Sequence, residues 1–283
     1  MPALFVLIWS TGFVVARFGM PHAPPFSFLA LRFALSIACF AVWVTLARIP
    51  LPATRQQWWH LAVTGVLMHA GYLGGVWAAV KLGMGAGTAA LLVGLQPLLT
   101  ALWLGARGDA ARLRQRQWLG VALGLVGLLL VVTPRLGAGE VSLANLGLAL
   151  LALLSITAGT LYQKRHVLAC DVRSASLVQL LAALLVMLPL ALLETEPMQW
   201  HAELVGALTW SVLALTLGGS SLLYLLIQRG AAAEVTSLLY LVPPCTALLA
   251  WALFGESLGP LVLAGLALSA AGVALVLTPP SAQ

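Results

Sequence analysis

Two cations, Arg17 and Arg32, stand inside the apolar stretches of this chain, and no carboxylate does. An ionisable group at membrane depth is costly and therefore marks a functional candidate. Arg17 lies three residues from the end of its stretch and can snorkel to the interface. Arg32 lies roughly 9 Å inside, at 1.5 Å per residue. Its guanidinium could hold a carboxylate bidentately or tie helix ends together through carbonyls. His69 offers an imidazole that titrates near neutrality. On an α-helix, Gly65, His69, Tyr72 and Val76 would share one stripe. Gln96, Tyr224 and Tyr240 are polar groups costly to strand in hydrocarbon, and Trp9 and Ser10 add an aromatic wall and a hydroxyl. These eight residues (Trp9, Ser10, Arg32, His69, Tyr72, Gln96, Tyr224 and Tyr240) are the expected substrate contacts. Thr11, Thr157, Thr160 and Ser220 rank lower, since hydroxyls often bond their own backbone. Pro97 and Pro244 fall near the middle of apolar stretches, where proline frees carbonyls and kinks a helix. They are the expected hinges.

The elements that must hold these residues are membrane helices. The chain has 283 residues, 61% hydrophobic and 8% charged, against about 25% charged in a soluble domain. Too few charges remain to cover a globular surface, so a soluble enzyme, a disulfide scaffold and a disordered chain are excluded. Spans of roughly 20 apolar residues are predicted at 3–20, 26–47, 61–80, 84–106, 117–133, 143–163, 174–193, 204–227, 235–254 and 258–278. No gap between them exceeds 13 residues, so function sits within the bundle. The first stretch lacks a basic n-region and a small-residue cleavage site, so it reads as a retained span rather than a signal peptide. Cys39, Cys170 and Cys245 have neither disulfide nor metal spacing. No cofactor and no metal is expected.

The net charge of +6 does not indicate a nucleic-acid partner, because its distribution fits a bilayer. With the N-terminus in the cytoplasm, the cytoplasmic loops hold Arg48, Arg55, Arg107, Arg112, Arg114, Arg116, Lys164, Arg165, Arg173 and Arg229. The other side holds Lys81 and Arg135 among Glu140, Glu194, Glu196, Glu203 and Glu256. Cations are retained on the cytoplasmic face, so both termini are predicted there.

A shift of 147 residues brings Gly12 onto Gly159, Arg17 onto Lys164, Gly83 onto Gly230, Pro97 onto Pro244 and Asp109 onto Glu256. After a two-residue slip, Gly120 and Gly127 meet Gly265 and Gly272. Five spans per half is odd, so the second half enters the membrane from the other side. The expected fold is an all-α membrane protein of ten transmembrane helices in two five-helix inverted-topology repeats. Such repeats place a substrate site near the midplane and support alternating access.

The stretches IWSTGFVVARFGMPHAPPFSFLALRF at 8–33 and SLLYLVPPCTALLAWALFGESLGPLVLAGLALSAAGVALVL at 237–277 resemble the ten-helix EamA branch of the drug/metabolite transporter superfamily. The second is similar to that family's proline-containing helix nine, Gly-Glu turn and Gly-rich helix ten. In the first half GARGD stands at the turn, with Asp109 as its acid. The resemblance implies EamA-like repeats at 1–134 and 142–283, and export of amino acids or related metabolites across the bacterial inner membrane. The partners implied are a small-molecule substrate and the lipid bilayer, with the monomer as functional unit.

Uptake and multidrug efflux are alternatives on the same fold. An intramembrane enzyme would need a nucleophile with a base, or a metal constellation. Neither HExxH nor GxSxG occurs, and no carboxylate in a span orients His69. A channel is usually assembled from subunits around a pore, whereas internal duplication suits a carrier. The small multidrug pumps of the superfamily use a Glu in the first helix for proton exchange. Without an acid in any span, the expectation here is transport down the substrate's own gradient.

Overall fold

The computed structural model describes residues 2–107, 115–219, 221–222 and 241–277. Among these residues every regular element is a helix. In chain order they are α1 (Pro2–Gly19), α2 (Pro25–Leu46), α3 (Arg55–Gly65), a first π segment (Val66–Gly71), α4 (Tyr72–Lys81), α5 (Ala86–Gly94) and α6 (Gln96–Arg107). There follow α7 (Gln115–Gly137), α8 (Leu143–His166), α9 (Val172–Leu192), α10 (Ala202–Trp210), a second π segment (Ser211–Gly218), α11 (Val242–Phe254) and α12 (Pro260–Leu277). Six stretches are long and apolar enough to cross a membrane, and four shorter apolar helices accompany them. These ten coincide with the ten stretches expected from hydropathy. The end of the eighth span, the first part of the ninth, and Asp109, Arg112, Arg114, Ser220, Tyr224, Arg229, Gly230 and Tyr240 lie outside the described residues.

Local chemistry starts these helices in two ways. Some are capped from within. The Thr54 hydroxyl accepts from Gln57 N at 3.2 Å for α3, Ser142 and Asn145 form a reciprocal capping box on α8, and Asp171 accepts from Arg173 N at 2.9 Å on α9. Others have no side-chain cap of their own and are capped by distant carboxylates. At α2 the amides of Phe26 and Ser27 donate to Glu194 at 3.0 and 2.7 Å. At α5 the amides of Ala86 and Gly87 donate to Glu256 at 2.8 and 3.3 Å, and Gly85 N donates to Glu140. Orphan amides and the helix dipole both favour an anion at these positions.

Glu140, Glu194, Glu196, Glu203 and Glu256 therefore gather at one end of the bundle. There Lys81 pairs with Glu196 at 2.6 Å and donates to Met20 O at 3.0 Å. His22 meets Glu203 at 2.9 Å, and Arg135 lies near Glu140 and bonds Thr88. At the opposite end Arg173 chelates Asp171 and lies 5.4 Å from the Trp43 ring centroid. The side-chain hydrogen bond to Arg173 is the largest factor holding the Asp171 carboxyl below its ordinary value.

Glycines let the helices close. A Cβ on Gly120 would lie 2.6 Å from the Gly272 carbonyl oxygen, and one on Gly265 would lie 2.6 Å from the Gly127 carbonyl oxygen. The residues that match in sequence thus meet crosswise, α7 against α12, as small residues do where membrane helices pack backbone to backbone.

Candidate functional site

The site is built where α2 meets the two π segments. Each π turn carries i→i−5 bonds. Tyr72 N reaches Leu67 O in the first, and Gly219 N reaches Ala214 O in the second. π turns inside α-helices concentrate at functional positions. Here they coincide with the interior polar residues, His69 in the first and Thr216 in the second.

Arg32 is 7% exposed. Its Nε and Nη2 lie 3.4 and 3.2 Å from Thr216 Oγ1, and its guanidinium carbon lies 6.0 Å from the Trp77 ring centroid. Trp77 is in turn stacked on Phe28 at 4.4 Å and is 1% exposed, so it forms a fixed aromatic wall. Among the described residues no carboxylate pairs with Arg32. A cation at the centre of a membrane helix costs about 2.5–3.5 kcal/mol even on the mildest scale. A hydroxyl and a ring face offset part of that cost and leave the charge itself unneutralised.

His69 and Tyr72 both stand within Coulombic range of Arg32. The His69 ring meets the Phe33 edge with centroids 6.2 Å apart, and the Gln179 side chain lies beside it. Gln179 also donates to Thr64 at 3.2 Å. The α-helical stripe of Gly65, His69, Tyr72 and Val76 requires correction. It crosses Val66–Gly71, where the helix is not α, so the phase changes. Gly65 lies against the Gln179 backbone of α9, whereas Gly71 and Gly75 lie against Ser155 and Ala152 of α8.

The remaining expected contacts are more dispersed. Gln96 opens α6 and donates to Thr160 at 2.9 Å, bridging α6 and α8. Ser10 is fully buried; its hydroxyl donates to Val6 O at 2.7 Å and its carbonyl accepts from Thr246 at 3.0 Å, so it joins α1 to α11. Trp9 is half-exposed beside Phe5, with Gly219 close to its ring. Arg17 reaches the Phe254 ring at 6.0 Å. At Pro97 the span is interrupted: α5 ends at Gly94, α6 begins at Gln96, and Leu98 N turns back to Leu95 O at 3.0 Å. Proline disfavours helical geometry in the residue before it and lacks the amide that would continue the ladder. Pro244 lies in the first turn of α11, and a Cβ on Gly94 would come 2.6 Å from the neighbouring Pro243. The two proline segments therefore touch.

Trp77, Gln179, Phe33 and Thr216 were not among the expected contacts. A signal existed for Gln179. The 147-residue shift that carries His69 onto Thr216 also carries Arg32 onto Gln179. In space these four cross over: Arg32 reaches Thr216, and Gln179 lies beside His69.

Comparison with known proteins gives the wider setting. The EamA-like transporter family matches at residues 2–133 and again at 144–278. The "Probable amino-acid metabolite efflux pump" of Salmonella typhimurium (strain LT2) is 31% identical over 162 residues, covering 57% of this chain and 52% of that protein. The alignment therefore spans about half the length of that pump. The inner membrane transporter YedA of Escherichia coli (strain K12) is 28% identical over 263 residues, 90% of this chain and 83% of its own. A solved crystal structure shares the fold with a TM-score of 0.67 at 21% identity, covering 98% of this chain and 94% of that one. Taken with the apolar helices, these matches make the chain a multi-pass membrane protein, and it belongs to the EamA-like transporter family.

Proposed function

We propose that the chain exports amino acids or related carboxylate-bearing metabolites across the bacterial inner membrane by alternating access. The observation that carries this reading is Arg32, a buried guanidinium whose partners among the described residues are a hydroxyl and a ring. A carboxylate arriving there would supply the missing charge through charge-assisted hydrogen bonds. His69, Tyr72 and Trp77 line the same place and suit the polar and apolar parts of an amphiphilic metabolite. Trp9, Ser10, Gln96, Tyr224 and Tyr240 are proposed as further contacts. Pro97 and Pro244 are proposed as the hinges. The efflux-pump name carried by the Salmonella relative supports the substrate class.

In this reading the moving bodies are two five-helix EamA-like repeats of opposite topology, residues 1–134 and 142–283, in a functional monomer with both termini cytoplasmic. The loop charges support that orientation. Reporter fusions after Arg112 and at Asp171 should report cytoplasm, and fusions near Gly137 and Glu196 periplasm. A cytoplasmic signal at Gly137 would overturn the topology.

The test of substrate class is counterflow in proteoliposomes with a panel of labelled amino acids and their amides. Saturable exchange that prefers acids over amides is expected. Equal exchange of both, or none, would remove the carboxylate from the reading. With no acid in any span, flux should follow the substrate gradient without proton exchange.

A further inference from the structure

We propose a transition-metal site, of the kind Zn²⁺ occupies, formed by His22, His201 and Glu203 at the carboxylate-rich end of the bundle. The three residues each offer one ligand atom, and these atoms all lie within 4.8 Å of one another. Two imidazoles and a carboxylate form a donor set that Zn²⁺ takes with bonds of about 2.0–2.2 Å, leaving a fourth position for water. Donors around a tetrahedral ion of that size stand about 3.3 Å apart. His22 Nε2 and the Glu203 carboxylate are already 2.9 Å apart. The third donor has room to close. His201 is exposed, and its ring makes no cap bond to α10 although the residue occupies the cap position. At present it stacks on His22 at 4.8 Å with the planes 12° apart.

The backbone holds this cluster at a seam. His22 belongs to the turn between α1 and α2, and its carbonyl accepts from Gln199 N at 2.8 Å. His201 and Glu203 begin α10 in the other half of the chain. The neighbouring links on this face cross the same seam: Lys81 to Glu196, and Phe26 and Ser27 to Glu194. An ion bound by His22, His201 and Glu203 would staple the two segments with coordinate bonds and hold this face shut. By ligand preference the site takes Zn²⁺ and neighbouring late divalent ions and discriminates against Mg²⁺ and Ca²⁺, which prefer oxygen.

The binding claim is independent of the transport reading, whereas the staple rests on it. Titration calorimetry of the full chain in detergent with ZnCl₂ tests the first. One ion per chain with micromolar affinity is expected, weakened at least tenfold in His201→Ala and in Glu203→Gln, with Mg²⁺ giving no heat. Equal affinity in His201→Ala, or no binding below millimolar Zn²⁺, would overturn the site. His201→Ala removes an exposed side chain, so folding is not at issue. The staple is tested by counterflow with the site saturated. Slowed exchange in the wild type but not in His201→Ala supports it, and unchanged wild-type exchange overturns it. Should no substrate exchange at all, the calorimetric result still stands and the failure belongs to the transport reading.

Discussion

Arg32 directs two donors, Nε and Nη2, at the single hydroxyl oxygen of Thr216, which spends its own proton on Ser211 O. The oxygen is therefore a pure acceptor toward the guanidinium, and the pair keeps a full positive charge. Arg32→Gln should then cost acids far more than amides. A hydrogen bond to a charged group contributes about 1.5–3 kcal/mol, roughly tenfold or more in affinity. Counterflow should show the acid-over-amide preference collapsing in the variant, while the amide's own exchange stays within a few-fold. A preference that survives would place the carboxylate elsewhere.

His69→Ala and Tyr72→Phe probe the other side of the same space. Tyr72→Phe removes one hydroxyl and should weaken exchange roughly tenfold, by the same arithmetic. His69→Ala should act more severely because it removes volume too. Thermal stability measured on the same samples separates the roles: kinetics equal to wild type in both would take the residues out of the site.

Gly65 and Gly147 should respond to alanine with opposite signs. A Cβ on Gly65 would run into the Gln179 backbone, whereas one on Gly147 of α8 meets nothing within 4 Å. Overpacking costs about 1–3 kcal/mol, while replacing an uncrowded helical glycine gains about 0.5–1 kcal/mol. Thermal unfolding in detergent should therefore show Gly65→Ala below and Gly147→Ala above the wild type.

Glu194 caps α2 from across the chain, taking two amides and the Ser27 hydroxyl. Loss of a cap costs about 0.5–2 kcal/mol. Glu194→Ala should speed hydrogen exchange at Phe26 and Ser27, with Glu194→Gln intermediate because it keeps an acceptor but loses the charge. Unchanged exchange in Glu194→Ala would show the cap to be dispensable.

Asp171 supplies the acid dependence. Its folded carboxyl titrates below the ordinary value of 3.8, so its stabilisation is fully present above that value. It is lost as pH falls through the lower, folded one. Asp171 and Arg173 form a local, partly exposed pair at a helix end, so screening keeps the effect to about 1 kcal/mol at most. Melting curves across the acid range should fall less steeply in Asp171→Asn than in wild type.

Much of this was legible in the amino acids. Hydropathy located the ten apolar stretches, since lipid leaves little choice about where apolar residues go. Arg32 stood out because a cation in such a stretch is expensive. What escaped was whatever depends on distant parts of the chain or on helix phase. Nothing near Phe26 or Ala86 says that Glu194 and Glu256 cap α2 and α5, because those carboxylates arrive 168 and 170 residues later. The stripe through His69 assumed 3.6 residues per turn across a segment that does not keep that pitch. Trp77 looked like any other membrane tryptophan until Arg32 was found over it.

The π segments also set a phase. Each residue of an α-helix turns about 100°, so the surplus residue in Val66–Gly71 acts as a rotary offset between α3 and α4. It lies between the approach of Gly65 to α9 and those of Gly71 and Gly75 to α8. Removing a single residue from the segment would leave every side chain of α4 intact and turn that helix as a unit. Trp77 would swing out from beneath Arg32, and the close approaches at Gly71 and Gly75 would be lost together. In this helix, position along the axis and orientation around it are encoded separately.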